Sequence, residues 1–139
     1  MTGYLFDTNI VSELRKKKRC APAVRTWYDS VEAADHYLSV LVLGEVRNGI
    51  ERIRHRDAVS AQALESWLSG PEQQFADRIL PVTKDIADCW GRLGVTRPIP
   101  PIDGLLAATA IAPDLVLVTR NVHDVASSGP SVVNPFESR

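Results

Sequence analysis

The sequence predicts an α/β domain built on a mostly parallel sheet, and three features point to it. Short strand-like segments alternate with segments of helical period along the 139 residues. One strand-like segment, Leu115–Thr119, is apolar and β-branched, the pattern of a strand buried on both faces. No repeat, low-complexity tract or composition shift divides the chain, so residues 1–139 read as one domain with one core.

The elements follow in order. Gly3-Tyr4-Leu5-Phe6 predicts a first strand, roughly residues 3–7, that ends on Asp7. A short helix with Ile10, Val11 and Leu14 comes next, then the basic run Arg15–Arg19. Pro22 suits the first turn of a second helix carrying Val24, Trp27 and Tyr28. His36–Val40 predicts a second strand, with Ser39 able to cap the helix that follows. That helix spans Val40–Arg56, because Leu43, Val46, Ile50 and Ile53 recur at three- and four-residue steps.

Val59, Ala63, Leu64, Trp67 and Leu68 mark a further amphipathic helix, which Gly70-Pro71 is expected to break. Ile79–Val82 predicts a third strand, and Thr83 a cap for the helix of Ile86, Ala87, Trp90 and Leu93. Three prolines make "TRPIPPIDG" a rigid, non-helical loop, followed by a compact helix in "IDGLLAATAIA". After Leu115–Thr119, the segment Ser131–Val133 suits a last edge strand.

Composition excludes several classes. The chain is 45% apolar and 24% charged with a net charge of −1, so a polyanion must be met by local basic groups or by metal ions. Cys20 and Cys89 are too few for a disulfide framework and lack zinc-site spacing, which predicts a reducing, cytoplasmic setting. Strand-like sequence by Tyr4 leaves no room for a signal peptide, and no apolar run is long enough for a membrane span. No glycine-rich phosphate loop, serine–histidine–aspartate arrangement or D-x-D phosphotransferase pattern is present.

Four acids sit where a regular element begins, ends or turns its apolar face. Asp7 ends the first strand, and Glu45 lies one turn into a helix on the face of Val42 and Gly49. Asp103 heads the alanine-rich helix, and Asp124 follows "LVLVTRN". Taken singly, each has an ordinary structural role as a turn, cap, first-turn or solvated helix residue. Taken together they form a set of hard oxygen ligands suited to Mg²⁺ or Mn²⁺, whose charge offsets the mutual repulsion of crowded carboxylates. A cation held there lowers the pKa of bound water and stabilises an in-line phosphodiester displacement.

The four segments together resemble a PIN domain, and most nearly the VapC/FitB-type toxins of bacterial toxin–antitoxin pairs. "LFDTNIVSEL", "SVLVLGEVRNGIER", "IPPIDGLLAATAIA", "LVLVTRNVHDV" and "VVNPF" resemble the family's motifs in order, spacing and element context. The resemblance implies a three-layer PIN-like sandwich with a central, mostly parallel sheet of four to five strands flanked by helices. It implies a Mg²⁺- or Mn²⁺-dependent endoribonuclease, neutralised by a VapB/FitA-like antitoxin that binds operator DNA, and a homodimer. Asp7, Glu45 and Asp103 match the family's three acids. At the fourth corner some relatives carry an aspartate at the position of Asn121 and others an acid where Asp124 stands.

Thr8 and Asn9 are expected to steady Asp7 by hydrogen bonds, with Asn121 supporting Asp124. Arg120 is the local candidate for a substrate phosphate. Gly104 replaces an alanine usual in relatives, and Val125 an aromatic. The basic run Arg15–Arg19 suits either RNA contact or a solvated loop. Trp27, Trp67 and Trp90 read as core or dimer interface, and His36, His55 and His123 as packed or surface residues. Two rivals remain at this point: a PIN-like RNA- or partner-binding module that does not cut, and a DNA nuclease.

Overall fold

Tyr4, Leu5 and Phe6 form β1 (Tyr4–Phe6), the central strand of the sheet. In the computed structural model, which describes residues 2–95, 97–125 and 128–137 apart from the side chain of residue 124, five strands pair in parallel. The others are β2 (His36–Ser39), β3 (Ile79–Leu80), β4 (Val116–Val118) and β5 (Val132–Val133), in the order β3-β2-β1-β4-β5. The helices are α1 (Thr8–Leu14), α2 (Pro22–Asp29), α3 (Val40–Arg54), α4 (Ala58–Gln74), α5 (Lys84–Arg92), α6 (Pro101–Ile111) and α7 (Val122–Val125).

From β1 the chain steps outward through β2 to β3, then crosses to β4 on the other side of β1 and ends at β5. Right-handed crossovers therefore set α1–α4 on one face and α5–α7 on the other. Packing agrees: α1 meets α2 and α3, and α3 meets α4, while α5 meets α6 and α6 meets α7. The order in which strands are added switches sides between β1 and β4, so the carboxyl ends of those two parallel strands flank the crevice where open α/β sheets place their ligands.

Leu5, Phe6, Leu38, Leu117 and Val118 are fully buried, as a sheet covered on both faces requires. The alanine-rich α6 is buried along Gly104 and Leu106–Ala110, so its small residues allow close approach to the sheet. A second, smaller core joins Ile50 of α3 to Ala61 and Leu68 of α4. Cys20 and Cys89 are both free thiols.

Several boundaries differ from the sequence expectation. Gly70-Pro71 does not break α4, which runs to Gln74 with Pro71 inside it. Leu68 and Phe75 are 4% and 5% exposed, and burying both holds the chain helical across a residue that lacks a backbone N–H. The proline loop also ends earlier than expected: Pro101 is the first residue of α6, where its missing donor would have been unpaired anyway. The short α7 falls in "NVHDV", where no helix was expected.

The caps hold as expected. Ser39 Oγ accepts from Leu41 N at 3.0 Å, and Thr83 Oγ1 from Ile86 N at 3.2 Å. Trp27 packs edge-on to Tyr4, with ring centroids 5.3 Å apart, and Trp67 borders both cores. Trp90 does not join the core. It is 41% exposed and lies on Gly104, where a Cβ would come within 3.0 Å of its Cδ1. The departure from alanine at position 104 thus makes room for an indole.

Candidate active site

The site begins with three adjacent strand ends. β1 and β4 pair Phe6 with Val118, so the next residues, Asp7 and Thr119, stand side by side. β1 and β2 pair Leu5 with Tyr37, which continues to Asp7 beside Ser39. Each strand therefore finishes on a polar residue at the same edge of the sheet.

Asp7 leaves β1 and caps α1. Its Oδ1 accepts from Thr8 N at 2.6 Å, and its Oδ2 accepts from Thr119 Oγ1 at 2.8 Å. Asn9 Nδ2 lies 3.4 Å from both Asp7 Oδ2 and Thr119 Oγ1. Asn9 Oδ1 accepts from Arg120 N at 3.2 Å, and Thr119 Oγ1 from Asn121 N at 3.1 Å. The carboxylate is thus oriented by the loops after two neighbouring strands. Thr119 is fully buried and was not singled out by its sequence, although its place at the end of a buried parallel strand was legible.

Thr8 carries the network to a third element. Its Oγ1 donates to Glu45 Oε1 at 2.6 Å, so Glu45 of α3 and Asp7 of β1 are joined through one residue. Glu45 faces an open cleft of about 630 Å³ that is also lined by Thr8, Val40, Leu41 and Ile102. Ile102 brings the head of α6 to this cleft, and Asp103 is its neighbour in the first turn of that helix.

Asp124 lies within α7, just after the β4 end, and its side chain is outside the described residues. Arg120 is exposed beside the β4 end, and its guanidinium carbon sits 4.4 Å from the centroid of Phe136, in the closing "NPF". That stacking explains the value of an aromatic there.

The donor set is all oxygen. Among the described residues there is no cluster of three or more His, Cys, Asp or Glu side chains able to hold a metal. Two carboxylates joined through Thr8 fit Mg²⁺, which commonly binds through one or two carboxylates and keeps waters and substrate phosphate as its other ligands.

The basic run is tethered. Glu13, only 7% exposed, accepts from Lys16 Nζ at 2.9 Å and from Ala21 N at 2.8 Å. The Lys16 ammonium, followed by the Ala21 N–H, holds the Glu13 carboxyl below the usual carboxylate range. Arg15 lies 6.0 Å from the Trp67 ring centroid. The segment forms a short 3₁₀ turn at Lys17–Arg19, and the side chains of residues 15–19 are exposed.

Residues 4–123 match the family model for the PIN domain. The chain is a PIN-domain protein. It is 29% identical over 140 residues to the VapC ribonuclease Y4jK of Sinorhizobium fredii, covering 96% of this chain and 97% of that one. The PIN fold also superposes on the crystal structure of FitAcB from Neisseria gonorrhoeae, with a TM-score of 0.87, 28% identity, and 97% and 99% coverage. A toxin–antitoxin complex from Klebsiella pneumoniae contains a chain of the same PIN fold, with a TM-score of 0.68, 27% identity, and 98% and 100% coverage.

Proposed function

We propose that this PIN domain is a Mg²⁺- or Mn²⁺-dependent endoribonuclease and the toxin of a type II toxin–antitoxin pair. The observation that carries the proposal is the link from Asp7 through Thr8 to Glu45, beside the point where the strand order switches sides. The likeness to a protein named a ribonuclease and to a chain of a toxin–antitoxin complex supports the substrate and the biological role.

Asp7 and Glu45 would hold the cation, with Asp103 and Asp124 completing the acidic rim. When bound, the cation supplies an activated water and neutralises charge on the phosphodiester. The chain's own residues set the geometry. Thr8 N and Thr119 Oγ1 fix the two oxygens of Asp7, and Thr8 Oγ1 fixes one oxygen of Glu45. Val40 and Ile102, 40% and 39% exposed, add apolar surface to the cleft that Glu45 lines.

The partners proposed are RNA, a VapB/FitA-like antitoxin through which operator DNA is engaged, and a second copy of the chain, all in the cytoplasm. No helix among the described residues is long and apolar enough to cross a membrane.

The test compares purified wild type with Asp7→Asn and Glu45→Gln, prepared in parallel, on matched RNA and DNA strands. Wild type should cut RNA with Mg²⁺ or Mn²⁺, stop with EDTA and leave DNA intact. Both variants should lose about 100-fold or more in rate. Equal cutting by wild type and Asp7→Asn would remove the mechanism. The second reading, binding without cleavage, has one observation in its favour, the absence of a three-ligand cluster among the described residues. RNA binding with no turnover under either metal would select it.

A further inference from the structure

We infer that the outward face of α3 beyond Glu45 is a docking track for the RNA strand, with Arg52 holding a phosphate removed from the one being cut. The inference rests on the nuclease proposal and names how that same cleft receives its substrate. Glu45, Asn48, Gly49 and Arg52 all line the cleft, and their spacing places them on one side of a helix. Glu45 and Arg52 are two turns apart, about 10.5 Å along the axis.

Three arginines of α3 have different surroundings. Arg47 and Arg54 are both paired with Glu51 of their own helix and Glu65 of α4. Arg52 is exposed at the cleft and has no ion pair among the described residues. A guanidinium left unpaired at the mouth of an acidic site is suited to a bidentate contact with a phosphodiester.

The glycines of α3 point the same way. Gly44 and Gly49 both line the cleft, and a Cβ built on either meets nothing within 4 Å. Intramolecular packing does not require them, and each weakens the helix interior. Their effect is to leave the helix backbone bare where a ligand can approach closely. The alternative occupant, a second copy of the chain, fits this surface less well. The face carries the exposed carboxylate of Glu45, and acidic side chains are depleted at the centre of a protein–protein interface.

The experiment reads binding apart from cleavage. In an Asp7→Asn background, where the strand stays intact, affinity for a fluorescein-labelled single-stranded oligoribonucleotide of mixed sequence is measured by anisotropy across a salt series. Adding Arg52→Ala should weaken binding about tenfold and reduce the salt slope by about 0.7, the loss of one phosphate contact on a single strand. Arg52→Lys should fall between, and Gly49→Leu should weaken binding by filling the track. Arg56→Ala, an exposed charge change that does not line the cleft, should leave affinity unchanged.

Unchanged affinity in Arg52→Ala overturns the inference, as does an equal loss in Arg56→Ala or the lack of any binding. If Arg52→Ala and Gly49→Leu instead break a dimer in sedimentation equilibrium without moving RNA affinity, the face belongs to a second copy. The nuclease proposal is judged separately, by whether wild type cuts RNA and Asp7→Asn does not.

Discussion

At the scale of single residues, Asp7 was legible and Thr119 was not, and the difference is one of sequence separation. An acid that ends an apolar strand stands out locally. The Thr119 hydroxyl matters because it donates to a carboxylate 112 residues away, and nothing near it in the chain announces that. Thr119→Val keeps the shape and removes the donor, so RNA cleavage should fall about 10- to 100-fold with the fold intact. An unaltered rate would show that Asp7 needs no help from β4. Gly49 makes the opposite case, since Gly49→Ala should raise unfolding stability by about 0.5–1 kcal/mol, measured by urea titration. Destabilisation there would mean that the space beside Gly49 is filled.

At the scale of elements, caps and periods were read well because they act within one helical turn. Ser39, Thr83 and Pro22 each do locally what their chemistry allows. Gly70-Pro71 was misread because the force that overrides it comes from elsewhere in the fold. Burial of Leu68 and Phe75 outweighs a proline that costs an interior helix about 3 kcal/mol. Pro71→Ala restores the missing donor and should raise stability by about 1–3 kcal/mol, less about 0.4–1 kcal/mol of unfolded-state entropy. A lower urea midpoint in that variant would mean that the proline ring itself is required in the groove beside Tyr28 and Trp67. Glu13, which its sequence did not single out, is buried and ties down the basic turn through Lys16 and Ala21 N.

At the scale of the whole molecule, the core holds a titrating group, His36, that the site does not use. His36 is 1% exposed, tilted against Phe6, Tyr28 and Phe75 with centroids 4.9, 4.8 and 6.4 Å away. Neither ring nitrogen has a hydrogen-bond partner among the described residues. Burial, followed by the Arg78 cation, pushes the His36 pKa below its ordinary 6.5, against weaker opposing pulls from the Val31 backbone and then from Asp35. The unfolded chain then binds the proton more readily than the folded one. Stability is fully present above pH 6.5 and falls as pH drops below it. Urea midpoints of wild type should decline between pH 7.5 and 5.5, and His36→Phe should flatten that decline. Equal slopes in the two proteins would remove His36 as the cause. Glu13, whose pKa is also lowered, contributes stability above its ordinary 4.5 and loses it only in more acid solution, so the two effects separate by pH window.

The amino-acid sequence by itself determined the alternation of strands and helices, the parallel sheet, the family and the Ser39 and Thr83 caps. All of these depend on neighbours within a turn or a strand, where side-chain period and backbone chemistry decide. Tertiary structure alone decided that Thr8 joins Asp7 to Glu45, that Arg120 stacks on Phe136, that α4 continues through a proline and that Arg52, with no ion pair among the described residues, stands at the cleft. These depend on strand order and sheet register, which bring distant residues to one edge and which local sequence does not encode.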